Sequence, residues 1–290
     1  MSPPTSDTVA AYYDRNTPRF LRYGGSRSAA AIHRQVWAPG VQSAEQASLY
    51  LNRLVAQAIS PVVNAADSSA AAGTGAAGQA LDLGCGVGGS ATWLALELGI
   101  SVTGVTNSEV QVKIARQRLS ALGPVGRCRF IRANFMDLPP LGPFQAAWAI
   151  ESFAHAPDPG RFFEQVAAQL DPGGRLVICD DFLAEPTEAI LTRRNAAMYI
   201  RRFQQGWHVP NLLTADQAVD AAENAGFKVL ASNDLTRWLR GFHPVILFLV
   251  SALTRLPLRW AYWQNLSGGA ALQVCIRSGW TKYLSLVFER

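Results

Sequence analysis

Residues 80–94 read ALDLGCGVGGSATWL: an apolar run of strand length, a turn crowded with glycine, then the start of a helical pattern. Glycines at 84, 86, 88 and 89 let the backbone bend tightly with its N–H groups open, and the helix that follows offers its positive end at the same place. Such a turn cradles a nucleoside-bearing ligand. Dinucleotide-binding domains use similar geometry for a pyrophosphate, and two features argue against that use here. Asp82 precedes the first glycine, where a carboxylate repels pyrophosphate but suits a cationic amino-acid group. VTGVTN, residues 102–107, ends without the acidic residue that would hold a nicotinamide ribose.

Outward from this stretch, apolar runs alternate with helical patterns. Strands are expected near 80–84, 100–105, 128–132, 144–150 and 175–180, the mark of a doubly wound, mostly parallel α/β sheet. Ser108 to Gln111 is a capping-box pattern, Asp158-Pro159 opens another helix, and Asp171 to Gly174 reads as a turn before the fifth strand. Ligands in such sheets bind beyond the carboxyl ends of the strands, where Asp82, Thr106, Asn134 and Glu151 fall.

The chain has 290 residues, 49% of them hydrophobic, enough for one large α/β domain with attached segments. We divide it into an N-terminal helical cap or lid (1–62), a flexible linker (63–79) and a core (80–290) with insertions at about 182–213 and 236–278. In the cap, residues 1–10 are expected to fray, a short helix is compatible up to Pro18, and a second helix spans 45–59 with Pro61 closing it. The low-complexity run NAADSSAAAGTGAAGQ reads as linker without chemistry. The first insertion carries the arginine-rich TRRNAAMYIRRFQQGWH, and the second carries PVILFLVSAL, about half the length of a membrane-spanning helix. We find no internal repeat. The four cysteines form no C-x-x-C pair, so neither a zinc site nor a disulfide framework is indicated, and with no signal-peptide pattern a cytoplasmic location is expected.

The net charge of +5 is unevenly spread: residues 1–62 carry +3, residues 186–290 carry +6, and the intervening stretch carries −4. An anionic substrate between core and flanks, a solvated surface, and contact with an acidic membrane each account for this.

Four stretches in order, LDLGCGVGGSA at 81–91, VTGVTNSEVQVKIAR at 102–116, FIRANFMDLP at 130–139 and WAIESFAHAPD at 148–158, resemble class I S-adenosylmethionine-dependent methyltransferases. More narrowly, they are similar to the sterol C-methyltransferases and the related tocopherol and cyclopropane-lipid enzymes. The resemblance implies a Rossmann-like sheet of seven strands, the last antiparallel. S-adenosyl-L-methionine is the implied cofactor and S-adenosyl-L-homocysteine the product, with no metal. It implies that Asp82, Gly84 and Gly86 line the methionine moiety, that Thr106 and Asn107 take the ribose with help from Gln111, and that Asn134 and Phe135 hold the adenine. YGGSRSAAAIHRQVW at 23–37 looks like the tyrosine- and glycine-rich stretch ahead of the core in the sterol enzymes, although their aromatic cluster is denser.

A methyl sulfonium is already activated, so the protein must align the acceptor and control charge. Methylation of an alkene carbon creates a carbocation, which aromatic faces and carboxylates stabilise and which ends by losing a proton to a base. Glu151 and His155 are the candidate catalytic residues. Two plainer readings stand beside them: a loop or cofactor hydrogen bond for Glu151, and a loop-fixing bond to backbone for His155. Tyr12, Tyr13, Tyr23, His33, Arg34, Trp37, Tyr199 and Arg202 are the candidate substrate contacts, with helix packing as the alternative for Tyr12, Tyr13 and Trp37. An apolar chain with an anionic head fits the aromatic insertions and basic flanks, and a prenyl diphosphate such as farnesyl or geranyl diphosphate matches it, with cyclisation of the cation as a further step. Arg19, Arg22, Arg27 and Arg201 join the residues that could hold the diphosphate. No D-D-x-x-D motif for a magnesium-bridged site is present. The alternatives are an O- or N-methyltransferase of a hydrophobic secondary metabolite or quinone, and a sterol or lipid C-methyltransferase in peripheral contact with a membrane. A nucleic-acid substrate is disfavoured, because no Asn/Asp-Pro-Pro-Tyr-type motif follows the fourth strand. The protein is expected to be a monomer or homodimer.

Overall fold

The computed structural model describes residues 6–23, 33–69, 78–122, 127–253 and 261–290. Seventeen regular elements follow one another: α1 (Ser6–Tyr23), α2 (Ala44–Ser69), β1 (Gln79–Leu83), α3 (Gly89–Leu98), β2 (Ser101–Thr106), α4 (Glu109–Ala121), β3 (Cys128–Arg132), β4 (Phe144–Ile150), α5 (Pro159–Ala167), β5 (Leu170–Leu183), α6 (Thr187–Leu191), α7 (Ala196–Trp207), α8 (Ala215–Asn224), β6 (Lys228–Asp234), α9 (Pro244–Leu253), α10 (Ala261–Arg277) and β7 (Thr281–Glu289). Short 3-10 turns occupy Phe153–His155 and Thr236–Trp238.

The strands form one sheet in the order β3-β2-β1-β4-β5-β7-β6, with β7 antiparallel to both neighbours and the first five strands parallel. The order reverses between β1 and β4, so the first βα turn opens at the topological switch point. Apolar residues cover both faces. One core gathers α2, α3 and Trp148; the other gathers α5, α8 and a stack of Phe153, Phe162, Phe163, Phe182 and Phe288. Each of these large side chains contributes about 2–3 kcal/mol through burial. A third, smaller core joins α6, α7 and α10.

Local signals set the helix starts. Ser108 Oγ accepts from Gln111 N, Asp158 caps α5 ahead of Pro159, and Thr214 with Gln217 completes a capping box on α8. Three expectations need correction. The second helix passes through Pro61 to Ser69, because Val63 beyond the proline is fully buried in the core and anchors the next turn. Residues 63–69 of the expected linker therefore belong to α2, and residues 70–77 lie outside the described part. Likewise α1 passes position 18, tied down by Asp14 and Thr17 on α4, and the contacts outweigh the missing N–H. Asp171–Gly174 belongs to β5, as an irregularity in its pairing with β4 that Gly173 and Gly174 bridge to Arg290.

Candidate active site

A cavity of about 230 Å³ opens at the carboxyl ends of β1, β2 and β4. Gly84, Gly86, Gly89 and Ser90 form its floor, and Thr106, Asn107, Gln111, Asn134 and Phe135 form one side. Val9, Tyr13, His33, Glu151, Ser152 and His155 also line it.

The glycine turn is built by close approach. Gly84 N and Cys85 N both donate to Val105 O at 2.9 Å. At Gly84, φ is +83° and a Cβ would lie 2.4 Å from the Cβ of Ser152, whose hydroxyl donates to Leu83 O at 2.5 Å. At Gly86, φ is +53° and a Cβ would meet nothing within 4 Å, so that position faces open space. Gly88 instead packs: its Cβ would strike Phe130.

Asp82 is 3% exposed, and its Oδ2 has no hydrogen-bond partner among the described residues. Burial pushes its carboxyl up to about 7, with partial relief from the nearby indole of Trp148 and the backbone of Ala91, neither in hydrogen-bond geometry with Oδ2. Around the rim, Thr106 Oγ1 donates to Gln111 Oε1 at 2.7 Å, and Gln111 Nε2 donates to Thr17 Oγ1 at 3.3 Å. Asp14 of α1 accepts from Ser108 Oγ at 2.5 Å and Val110 N at 3.3 Å, placing a carboxylate at the α4 N-terminus. The N-terminal helix is thereby fastened to the cavity wall.

Glu151 follows β4 with φ at +51°, an uncommon backbone state for a side chain of this size. Its Oε1 accepts from Arg34 N (2.9 Å), Arg34 Nε (3.1 Å) and Tyr283 Oη (2.9 Å). No donor among the described residues reaches Oε2. Burial opposes ionisation, yet the charges of Arg34 and His33 and the Arg34 hydrogen bonds hold the carboxyl below its ordinary value. Arg34 also forks onto Asp181 at 3.0 and 2.6 Å and lies 4.0 Å over the Tyr283 ring.

His155 Nδ1 lies 3.1 Å from His208 O, which can only accept, so Nδ1 carries the proton and Nε2 accepts from Tyr13 Oη at 2.8 Å. Burial lowers the imidazole's pKa and raises the phenol's well above its ordinary value, leaving both neutral near pH 7. His33 Nε2 is buried beside the cavity without a partner among the described residues.

A methyltransferase-domain family model matches residues 80–174. A curated O-methyltransferase of Pyrenophora dematioidea is 30% identical over 243 residues, 82% of this chain and 81% of the relative. The chain belongs to the class I S-adenosylmethionine-dependent methyltransferases. Cycloartenol-C-24-methyltransferase 1 of Oryza sativa is 32% identical over 54% of this chain, which spans 45% of that relative's length. Among solved structures, the [4+2]-cyclase SpnF is 26% identical with a TM-score of 0.72, covering 100% of this chain and 97% of the other. Geranyl diphosphate C-methyltransferase from Streptomyces coelicolor shares the fold at 16% identity, with a TM-score of 0.68 and both chains covered in full.

The cofactor of this methyltransferase is S-adenosylmethionine, and the cavity fits it. Oδ2 of Asp82 is an orphaned acceptor for a cation, and Gly86 faces free space where a side chain would intrude. The eight residues expected to hold the cofactor all line the cavity, as do Tyr13, His33, Glu151 and His155.

The other expected substrate contacts lie away from this cavity or outside the described residues. Tyr12 is buried, bonded to Asn265 and tilted against His208, so it pins α1 to α10 and the end of α7. Arg34 is consumed by two carboxylates. Trp37 lies under Arg240 at 3.5 Å, in a separate depression. Tyr199 packs near Trp280, and neither it nor Arg202 lines the cavity. The side chains of Arg19, Arg22 and Tyr23, and all of Arg27, lie outside the described residues.

Sequence reading missed Asp180, Asp181 and Tyr283. Asp180 accepts from Ala154 N at 3.0 Å and holds the turn carrying His155, its carboxyl pushed up to about 7 by burial and the neighbouring Asp181 charge. The available signal was the pair of carboxylates ending the apolar run LVICDDFL.

Proposed function

We propose that this methyltransferase adds a methyl group to an alkene carbon of an isoprenoid, with a prenyl diphosphate as the leading acceptor. The observation that carries the reading is Glu151: a half-buried, ionised carboxylate in the cavity wall, with Oε1 fixed by three donors and no donor among the described residues on Oε2. When bound, S-adenosylmethionine supplies an activated, positively charged methyl donor.

In this reading Asp82 holds the donor's ammonium, while Thr106, Asn107 and Gln111 face its ribose. Asn134 and Phe135 flank the adenine, the Phe135 ring being braced edge-on by Phe162 at 5.5 Å. The alkene's π electrons form the new carbon–carbon bond, the carbon–sulfur bond breaks with its electrons kept on sulfur, and the adjacent carbon becomes positive. The Glu151 carboxylate and the Tyr13 ring stabilise that charge across a short, low-dielectric distance. Loss of a neighbouring C–H proton to Glu151 Oε2 restores a double bond. Because Nε2 of His155 is engaged, His155 acts by orienting Tyr13, and a proton reaches it only through the phenol.

A second reading, O-methylation of a hydrophobic phenol or quinol, is favoured by one observation: among the described residues no Lys or Arg lines the cavity. In that reading the Tyr13–His155 pair receives the hydroxyl proton. Incubation with isotope-labelled S-adenosylmethionine and farnesyl diphosphate, geranyl diphosphate, a sterol or a tocopherol precursor decides between them. The first reading predicts a phosphatase-sensitive product with the label on carbon. Label found only on oxygen, and only with hydroxyl acceptors, would replace it by the second.

A further inference from the structure

Helix α9 is an anomaly on an otherwise ordinary surface. Val245, Ile246, Phe248 and Leu249 are 50–70% exposed and Phe242 just before them is 41% exposed, whereas Leu247 turns inward. The other exposed large apolar side chains, Leu96, Leu122, Leu191 and Leu230, are far apart in sequence and on different elements. Cations lie close to the patch in sequence. Residues 235–277 contain five arginines without a single Asp or Glu. Arg237, Arg240 and Arg277 are exposed, and Arg277 Nη1 donates to Phe242 O at 3.1 Å, so a cation stands at the start of the helix. Phe242 N donates to Gln273 Oε1 at 2.7 Å, which fixes that end of α9 to α10.

We propose that α9 docks this methyltransferase onto an anionic phospholipid bilayer. Ten residues of helix measure about 15 Å, too short to cross hydrocarbon but suited to lie in the interface with the apolar face down. Arginines at the edge then meet lipid phosphates. A bilayer satisfies both halves of the patch. A second copy of the chain does not, since a two-fold contact would bring the same cations together. The proposal is independent of which acceptor is methylated.

The test is flotation of the full chain with vesicles of phosphatidylcholine alone, or mixed with phosphatidylglycerol, at low and high salt. Binding to the mixed vesicles, weakened by salt, is expected. Phe248→Ser with Leu249→Ser should lower partition about tenfold or more, and Arg237→Glu with Arg277→Glu should do the same. Both variants should keep the wild-type melting temperature and S-adenosylmethionine affinity. Absence of binding to mixed vesicles, equal binding to phosphatidylcholine alone, or undiminished binding by either double variant would overturn the proposal. So would a wild-type dimer that Phe248→Ser with Leu249→Ser converts to monomer, which would assign the face to a second copy.

Discussion

Asp82 and Glu151 stand at the ends of adjacent strands and face the same cavity, yet their environments drive them in opposite directions. Asp82 keeps Oδ2 without a donor, and burial raises its pKa to about 7. Burial opposes ionisation of Glu151 as well, but the charges of Arg34 and His33 and the Arg34 hydrogen bonds reverse the sign and keep it ionised. A buried carboxylate needs a cation, and the difference lies in where that cation comes from. The chain supplies its own to Glu151 from 117 residues upstream. At Asp82 it leaves the place to the positively charged cofactor. One wall is thus completed by binding and the other is complete beforehand.

The comparison breaks most visibly at Glu151. Glu151→Gln keeps the size and can still accept from Arg34, but it removes the charge; we expect kcat to fall about 10²- to 10⁴-fold, with S-adenosylmethionine affinity unchanged in direct titration. Arg34→Met leaves Glu151 and Asp181 buried without a counter-ion. It should destabilise the protein by about 3 kcal/mol, the low end for such a loss, because Arg34 retains 22% exposure. Its thermal melt should fall, and the acid limb of the kcat–pH profile should move to higher pH as the Glu151 pKa rises. Asp82→Asn should weaken S-adenosylmethionine binding about 10- to 100-fold while leaving kcat at saturation nearer to wild type.

The smallest effect concerns pH. Asp82 and Asp180 have folded-state values of about 7, above those of an unfolded chain. Their stabilisation is full below the unfolded value and is lost as pH rises toward and through 7. Urea unfolding of the ligand-free protein should show stability declining between about pH 4 and 7, with a shallower decline in Asp82→Asn.

The two walls also differ in how far the sequence announced them. The Asp82 side was legible because its residues lie in one contiguous strand–turn–helix unit, and the backbone geometry demands glycine at Gly84 and Gly86. The sheet was legible for the same reason: β3 and β4 fall at 128–132 and 144–150 as expected, β4 as a nearly continuous apolar run inside the sheet and β3 as an edge strand that buries only Phe130. Glu151 and His155 were marked as chemical by their motif, but their partners were not. Arg34, Tyr283 and Tyr13 reach them across 117 to 142 positions, Asp181 joins only through Arg34, and no local period encodes such pairs. One of the arginines expected near a diphosphate, Arg34, is thus engaged by two carboxylates, which its place in the sequence does not announce. The prolines at 18 and 61 misled for a related reason, because burial of Val63 and the Asp14 bonds override a local breaker.

The most direct measurement is calorimetric titration of S-adenosylmethionine near pH 7 in two buffers of different ionisation enthalpy, for wild type, Asp82→Asn and Glu151→Gln. The account predicts release of about half a proton on binding by wild type, from a carboxyl of pKa about 7 driven ionised by the bound cation. Glu151→Gln should give the same value and Asp82→Asn close to none. Proton release that survives in Asp82→Asn, or that vanishes in Glu151→Gln, would contradict the division of labour between the two carboxylates.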